Sequence, residues 1–263
     1  MEPTSGPTAA AHVSRLRSSP VKGLAQDDVE ALTLLPDGIR GDRRFVCADE
    51  RLRRLYTADL GPLARARAAW DEAAGLLAVT LPDGLVVQAT VELAPTAVEL
   101  GSAFGRPMPA HEVRGPLAGA LSAAAGRPLR LFQVPVGFGS PGPVTLLGDG
   151  SVERLAAELG VPELDARRFK MSVELAGLAP HAEDGWGGAV VRLGDAEVLV
   201  GGPVPRCVVT TRDPDTLARD HDTLRALLRY RGPLETGEPP FGVYATVIRP
   251  GVVRLGDRVL PVR

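Results

Sequence analysis

Residues 197–216 read EVLVGGPVPRCVVTTRDPDT. Glu197–Val200 is a short apolar run, a bend follows at Gly202-Pro203-Val204-Pro205, and Arg206-Cys207 opens a second extended run over Val208–Thr211. Arg212-Asp213-Pro214-Asp215-Thr216 then makes a polar turn. Short Val- and Leu-rich runs bounded by Gly and Pro predict strands. The pattern recurs on either side. Leu76–Leu81 and Leu85–Val91 flank Pro82-Asp83-Gly84 as a hairpin. Arg44–Ala48, Arg130–Val136, Val144–Leu147, Val190–Leu193 and Val243–Arg249 also predict extended chain.

Helical patterning is sparser. Val152, Leu155, Ala156 and Leu159 recur at helical spacing behind Ser151 as the N-cap, with Gly160 and Pro162 as the stop. Two further helices are predicted from Thr223 to about Tyr230 and over Pro116–Ala125. Many short strands and few helices point to a β-rich α+β chain built from barrels or sandwiches with helices packed outside. Strand patterning gives way to Gly, Pro and Ala between about Leu100 and Pro128, which suggests a boundary there.

With 263 residues and 44% hydrophobic content the chain can bury an ample core. A formal net charge of -2 without any basic block argues against nucleic acid and anionic membranes as partners. No apolar run spans a bilayer, and residues 1–11 resemble a disordered tail rather than a signal peptide. The expected location is the cytoplasm. Two cysteines, Cys47 and Cys207, are too few for an iron–sulfur cluster or a structural zinc site, and a reducing compartment disfavours a disulfide between them. Of 30 basic residues only Lys22 and Lys170 are lysines. Where arginine is written almost everywhere else, two compact ammonium groups raise the question of what they bind.

Gly137 to Gly142 fits G-x-G-x-x-G, but Pro141 and Pro143 lead into another strand, where a dinucleotide fingerprint needs a helix. Cys207 carries more chemistry. A thiol at the mouth of a strand beside Arg206 has surroundings that favour thiolate, the form that ligates soft metals or attacks sulfur. Read locally, the commoner fate of a free cysteine is that of a small buried apolar residue. Cys47 lies in an apolar strand and is expected to be buried and inert. Trp186 and Tyr244 are expected to pack in the core.

Several blocks occur in fixed order: Ser19-Pro20-Val21-Lys22-Gly23, Gly41-Asp42-Arg43-Arg44-Phe45, the weaker Thr57, Pro62, Leu63 and Ala64, and Arg168-Phe169-Lys170-Met171-Ser172. Trp186, Gly194-Asp195, the run from Pro205 to Thr216, Phe241-Gly242-Val243-Tyr244 and Leu255-Gly256-Asp257 complete the series. Together they resemble the MOSC family, named for the C-terminal domain of molybdenum-cofactor sulfurases, in its elements Y-P-V-K-S, G-D-R-x-W/F, R-F-R-P-N and R-C-x-x-T-T-x-D-P-D-T. The resemblance implies a MOSC-type β-barrel with peripheral helices over 111–263, preceded by a smaller N-terminal β-barrel domain over 12–110. It implies that Cys207 is the catalytic residue and the metal ligand of a molybdenum cofactor (Mo-molybdopterin). It further implies that Lys22, Arg43, Arg168, Lys170, Ser172 and Arg206 contact the phosphate or pterin, with the sulfur at the floor of a cavity lined by Lys22, Arg43 and Lys170. Both lysines of the chain fall in that set.

The chain departs from the pattern at Gly23 (usually serine), at Lys170-Met171 (usually Arg-Pro), at Ser172 (usually asparagine) and at Asp59, where an arginine is common. The amidoxime-reducing type of the family implies an oxidoreductase acting on N-hydroxylated or N-oxide-like small molecules. Electrons would come from a separate ferredoxin- or flavoprotein-type partner. The alternatives are a sulfur carrier or transferase holding a persulfide on Cys207, fed by a separate sulfur donor and independent of pyridoxal phosphate in this chain, or a cofactor-binding protein without turnover.

Overall fold

In the computed structural model the described residues are 11–101, 108–135 and 142–262. The expected tail and most of the Gly137–Gly142 stretch lie outside them.

The β-rich α+β class forms as expected. The largest sheet has eight strands, in the order Val259–Val262, Val190–Leu193, Ala196–Pro205, Pro240–Arg249, Val144–Gly148, Val173–Ala176, His12–Ser18 and Asp27–Val29. Alternation drives it: Val191 and Leu193 point into the core while Arg192 is exposed. The two sides of the sheet meet. His12 bridges Arg258, Val13 N donates to the Asp257 carbonyl at 2.8 Å, and Val259 N donates to that of Ala11 at 2.9 Å. The sheet thus curls on itself as a barrel does, around buried Val13, Leu16, Val144, Leu146, Val173, Val191, Val198 and Val243.

A six-stranded sheet stands beside it. Its main path runs Glu92–Leu93, Met108–Arg114, Arg130–Gln133, Phe45–Ala48 and Val21–Lys22, with Val98–Leu100 also paired to Met108–Arg114. Its alternation serves two apolar clusters. Phe45, Cys47 and Leu131 pack with Leu55, Leu63, Leu77 and the helix Pro116–Ala125, here called α1. Val46, Ala48 and Phe132 pack on the opposite face with Met108 and Leu100. Hydrogen bonds cross the expected boundary at residue 110: His12–Ser18 pairs with Val173–Ala176, and Arg130–Gln133 pairs with Phe45–Ala48.

α1 has the predicted bounds and ends on Gly126 in the left-handed region, φ 65°. The second helix, α2 (Asp149–Leu159), starts before the predicted residue. Gly148 is its N-cap, because the Ser151 hydroxyl donates instead to Glu183 Oε1 at 2.7 Å. The third, α3 (Thr223–Arg231), is capped by Asp222, which accepts from Arg225 N at 3.3 Å.

Two local expectations around Cys207 are overturned. The Gly202–Pro205 bend is part of the continuing strand Ala196–Pro205, which absorbs it through register shifts between Val200 and Pro203 and between Pro203 and Pro205. Val208–Thr211 is a 3-10 turn and not a strand. Thr210 N and Thr210 Oγ1 both donate to the Cys207 carbonyl, at 3.2 and 3.1 Å, and Thr211 Oγ1 donates to Val208 O at 2.8 Å. Local hydroxyl bonds of this kind outcompete a ladder.

Candidate functional site

Cys207 sits where the strand Ala196–Pro205 ends and the 3-10 turn begins, and its side chain is exposed. The turn is anchored from behind, since the hydroxyls of Thr210 and Thr223 lie 2.9 Å apart and tie it to α3. Cys47, by contrast, is fully buried, and loss of water around it pushes its thiol up to about 12. One accessible and one inert sulfur is the expected division.

Arg206 is 5% exposed. Its Nε donates to Phe241 O at 2.8 Å, Nη1 to Phe169 O at 2.8 Å and Nη2 to Met171 Sδ at 2.8 Å, and the guanidinium lies 5.5 Å from the Phe169 ring centroid. Burial lowers its pKa to about 10. Arg206 therefore props the Cys207 turn from inside. Arg168 does the same for the loop beyond: it grips Asp220 through two bonds of 2.9 Å and donates to the carbonyls of Thr210 and Arg212. Ser172 is buried, with its hydroxyl accepting from Thr145 N at 2.8 Å and donating to Thr145 O at 3.2 Å. These three candidates direct their side chains into the protein.

Lys22, Arg43 and Lys170 form a cluster of like charge. Lys170 is in the left-handed region at φ 49°, and its Nζ donates to Leu24 O at 2.6 Å, beside the segment carrying Lys22. Burial lowers Lys170 to about 8, with Arg43 pushing the same way. Lys22 falls to about 7 through burial first, then Arg54 and Arg43, against the opposing pull of Asp42. Arg43 pairs with Asp42, Nε to Oδ2 at 3.1 Å. Burial raises the phenol of half-buried Tyr244, while the charges of Arg206 and Arg43 both draw it back. Arg54 was not among the sequence candidates. It follows no motif, and its signal is burial at 2% exposure, which sequence alone does not reveal.

A cavity of about 410 Å³ lies beside the loop after Cys207, lined by Lys170, Arg167, Arg168, Arg212 and Asp213 among others. Cys207, Lys22 and Arg43 do not line it. Two departures also gain local reasons. Gly23 has φ +97°, and a Cβ there would stand 2.7 Å from Leu60 Cδ1, so serine does not fit this backbone. Asp59 Oδ2 accepts from Tyr56 N at 2.9 Å, which commits its charge to the turn Thr57–Asp59.

The lowered lysines predict a pH response. A bound anion favours ammonium, so phosphate binding to cofactor-free protein should take up protons near neutrality and weaken as pH rises through about 7 to 8. Folding has the opposite sign. Above about 7 the unfolded chain holds protons that the folded anion-free protein has lost, so its stability rises with pH toward the ordinary lysine range. Calorimetric titration with inorganic phosphate in buffers of different ionisation heat checks the first statement, and melting curves check the second.

The MOSC domain model matches residues 133–260. The chain carries a MOSC domain. Cys207 and the prop residues Arg168 and Arg206 fall inside the MOSC domain match, whereas Lys22, Arg43 and Arg54 precede it. The chain is similar to mitochondrial amidoxime-reducing component 1 of Mus musculus, 33% identical over 131 residues, and to that of Homo sapiens, 30% identical over 131 residues. Each alignment covers 47% of this chain and 38% of the relative, so the matched part spans well under half of those proteins. Among solved structures it is similar to the YUAD protein from Bacillus subtilis, with TM-score 0.47 and 14% identity, covering 95% of this chain and 94% of the other. It is also similar to YiiM from Geobacillus stearothermophilus, with TM-score 0.34 and 21% identity, covering 48% and 56%. No helix among the described residues is long and apolar enough to cross a membrane.

Proposed function

We propose that this chain is a molybdenum-cofactor-dependent oxidoreductase in which Cys207 is the protein ligand of the metal and Lys22, Arg43 and Lys170 hold the phosphate end of the pterin. The reading is supported by an exposed thiol on a turn braced by buried Arg206, together with a largely buried group of cations, Lys22, Arg43 and Lys170, drawn from the sequence blocks on either side. The donor set fits the cofactor. A soft sulfur suits a thiolate-seeking metal, and a surplus of positive charge around one carboxylate, Asp42, suits a phosphate dianion. Among the described residues no three His, Cys, Asp or Glu side chains converge on a metal site. Cys207 would then be the residue through which the chain holds the metal.

When bound, the cofactor supplies a two-electron couple for taking oxygen from N-hydroxylated or N-oxide-like compounds, in line with the names of the mouse and human relatives. Such a reduction consumes two electrons and two protons and releases water. In this reading Cys207 would hold the metal, Arg206 and Arg168 keep its turn from shifting, and Lys22, Arg43 and Lys170 would hold the phosphate of the pterin. The chain has two cysteines, one of them buried, too few to hold an electron-transfer cluster of its own. A separate ferredoxin- or flavoprotein-type partner delivers the electrons.

Elemental and pterin analysis of the protein purified from a cofactor-competent host tests the reading. The expected result is molybdenum and pterin in equal amounts, approaching one per chain. Protein devoid of both, whose Cys207 gains one sulfur from a persulfide donor, would replace it with sulfur transfer.

A further inference from the structure

Four arginines are almost completely buried: Arg17, Arg54, Arg168 and Arg206. Three have their charge or donors answered from within. Arg17 pairs with Asp28 and Glu174, Arg168 pairs with Asp220, and Arg206 spreads over two carbonyls and a thioether. Arg54 is the exception. Its Nη2 donates to the Tyr56 hydroxyl at 2.6 Å, and its guanidinium lies 4.7 Å from that ring's centroid. Its Nε and Nη1 are buried with no hydrogen-bond partner, and it makes no ion pair among the described residues. A buried cation with two unspent donors is costly to maintain unless something else fills the place.

Register says where that place is. Lys22 pairs with Val46, and Arg54 bridges Ala48. Val46 and Ala48 are two apart on one strand and so share a face. Lys22 and Arg54 therefore rise from the same face of the six-stranded sheet, while Cys47 and Leu55 fill the opposite core. The charge of Arg54 is felt at Lys22, as is that of Arg43. Tyr56, stacked on the guanidinium, holds it still.

We propose that Arg54 is a ligand-binding residue of this site, donating from Nε and Nη1 to an oxyanion of the phosphate-monoester class that Lys22 and Arg43 also attract. Identifying that anion as the phosphate of the pterin rests on the function proposed above. With Asp59 tied to a turn, Arg54 supplies the second guanidinium of the anion pocket from a different point of the loop.

The test uses Arg54→Met, which keeps the apolar stem, and Arg54→Lys, which keeps the charge but loses the planar donors. Cofactor-free protein is titrated with inorganic phosphate, and pterin content is measured as its fluorescent oxidation product after purification from the cofactor-competent host. Arg54→Met should weaken phosphate binding at least about tenfold and lower pterin retention, with Arg54→Lys between it and the parent. Without ligand Arg54→Met should melt no lower than the parent, because it removes an unanswered buried charge, and it should lose the rise in melting temperature that phosphate gives the parent. A residue serving structure alone gives the reverse, a lower melting temperature with phosphate affinity intact, and that result overturns the proposal. If Arg54→Met fails to fold, Arg54→Lys decides: parental phosphate affinity overturns the proposal, and weakened binding supports it. If the parent protein carries no pterin yet binds phosphate through Arg54, the cofactor reading falls and the anion site stands. If the parent carries pterin and both variants match it in pterin and phosphate, the anion role falls and the cofactor reading stands.

Discussion

Cys207→Ser should remove the metal from the protein while leaving the fold in place. The side chain is exposed, and the turn around it is held by the Cys207 carbonyl, which accepts from Thr210, rather than by the sulfur. Serine keeps that backbone, so the change in stability should stay within about 0.5 kcal/mol, as for other exposed substitutions. A neutral hydroxyl is a poor replacement for a soft thiolate. Loss of an outer-shell partner alone costs metal sites about 10–100-fold in affinity, so loss of the single protein ligand should cost at least that much. Elemental analysis beside a melting curve reads both quantities. Full molybdenum content in the serine variant would disprove ligation by this residue.

Arg206→Ala should do the converse and cost stability first. The substitution leaves the carbonyls of Phe169 and Phe241 without their buried donor, at about 1–3 kcal/mol each. The sum, roughly 2–6 kcal/mol, corresponds to a fall in melting temperature of about 4–24 °C in a chain of this size. Arg206 adjoins Cys207 and bonds to the chain segments at 169–171 and 241, so its loss should also loosen the thiol's turn. Denaturant unfolding gives the energy, and the rate of Cys207 alkylation by a small reagent reports the loosening. A variant as stable as the parent would show that those carbonyls find other donors.

Cys207 and Arg206 illustrate how much of the site was legible in the sequence. Adjacency alone placed Arg206 beside Cys207, and the ordered blocks around both lysines name segments that the fold brings together, Lys170 donating to Leu24 O beside Lys22. Direction was hidden. Whether Arg168, Ser172 and Arg206 face a ligand or brace the interior depends on carbonyls at Phe169, Thr210 and Phe241 and on the Thr145 backbone, which no local pattern names. Arg54 was missed for the same reason, since its burial follows from a bridge to Ala48 across a sheet assembled from distant segments. The strand periodicities and all three helices were readable because alternation and helical spacing are local signals. Val208–Thr211 forms a 3-10 turn where a strand was expected, because Val and Thr favour extension until the hydroxyls of Thr210 and Thr211 close the backbone.

The meeting of His12 and Val13 with Asp257, Arg258 and Val259 bears on how the molecule is made. The last stave of the large sheet leaves the ribosome some 240 residues after the first. Its seam cannot be stitched until that stave has been made, so the part of His12–Ser18 that Asp27–Val29 does not reach must wait in the growing chain with that side uncovered. Closure of so long a loop places the slow step late. A fragment starting at residue 133, where the MOSC match begins, would lack the strand that seals its own sheet.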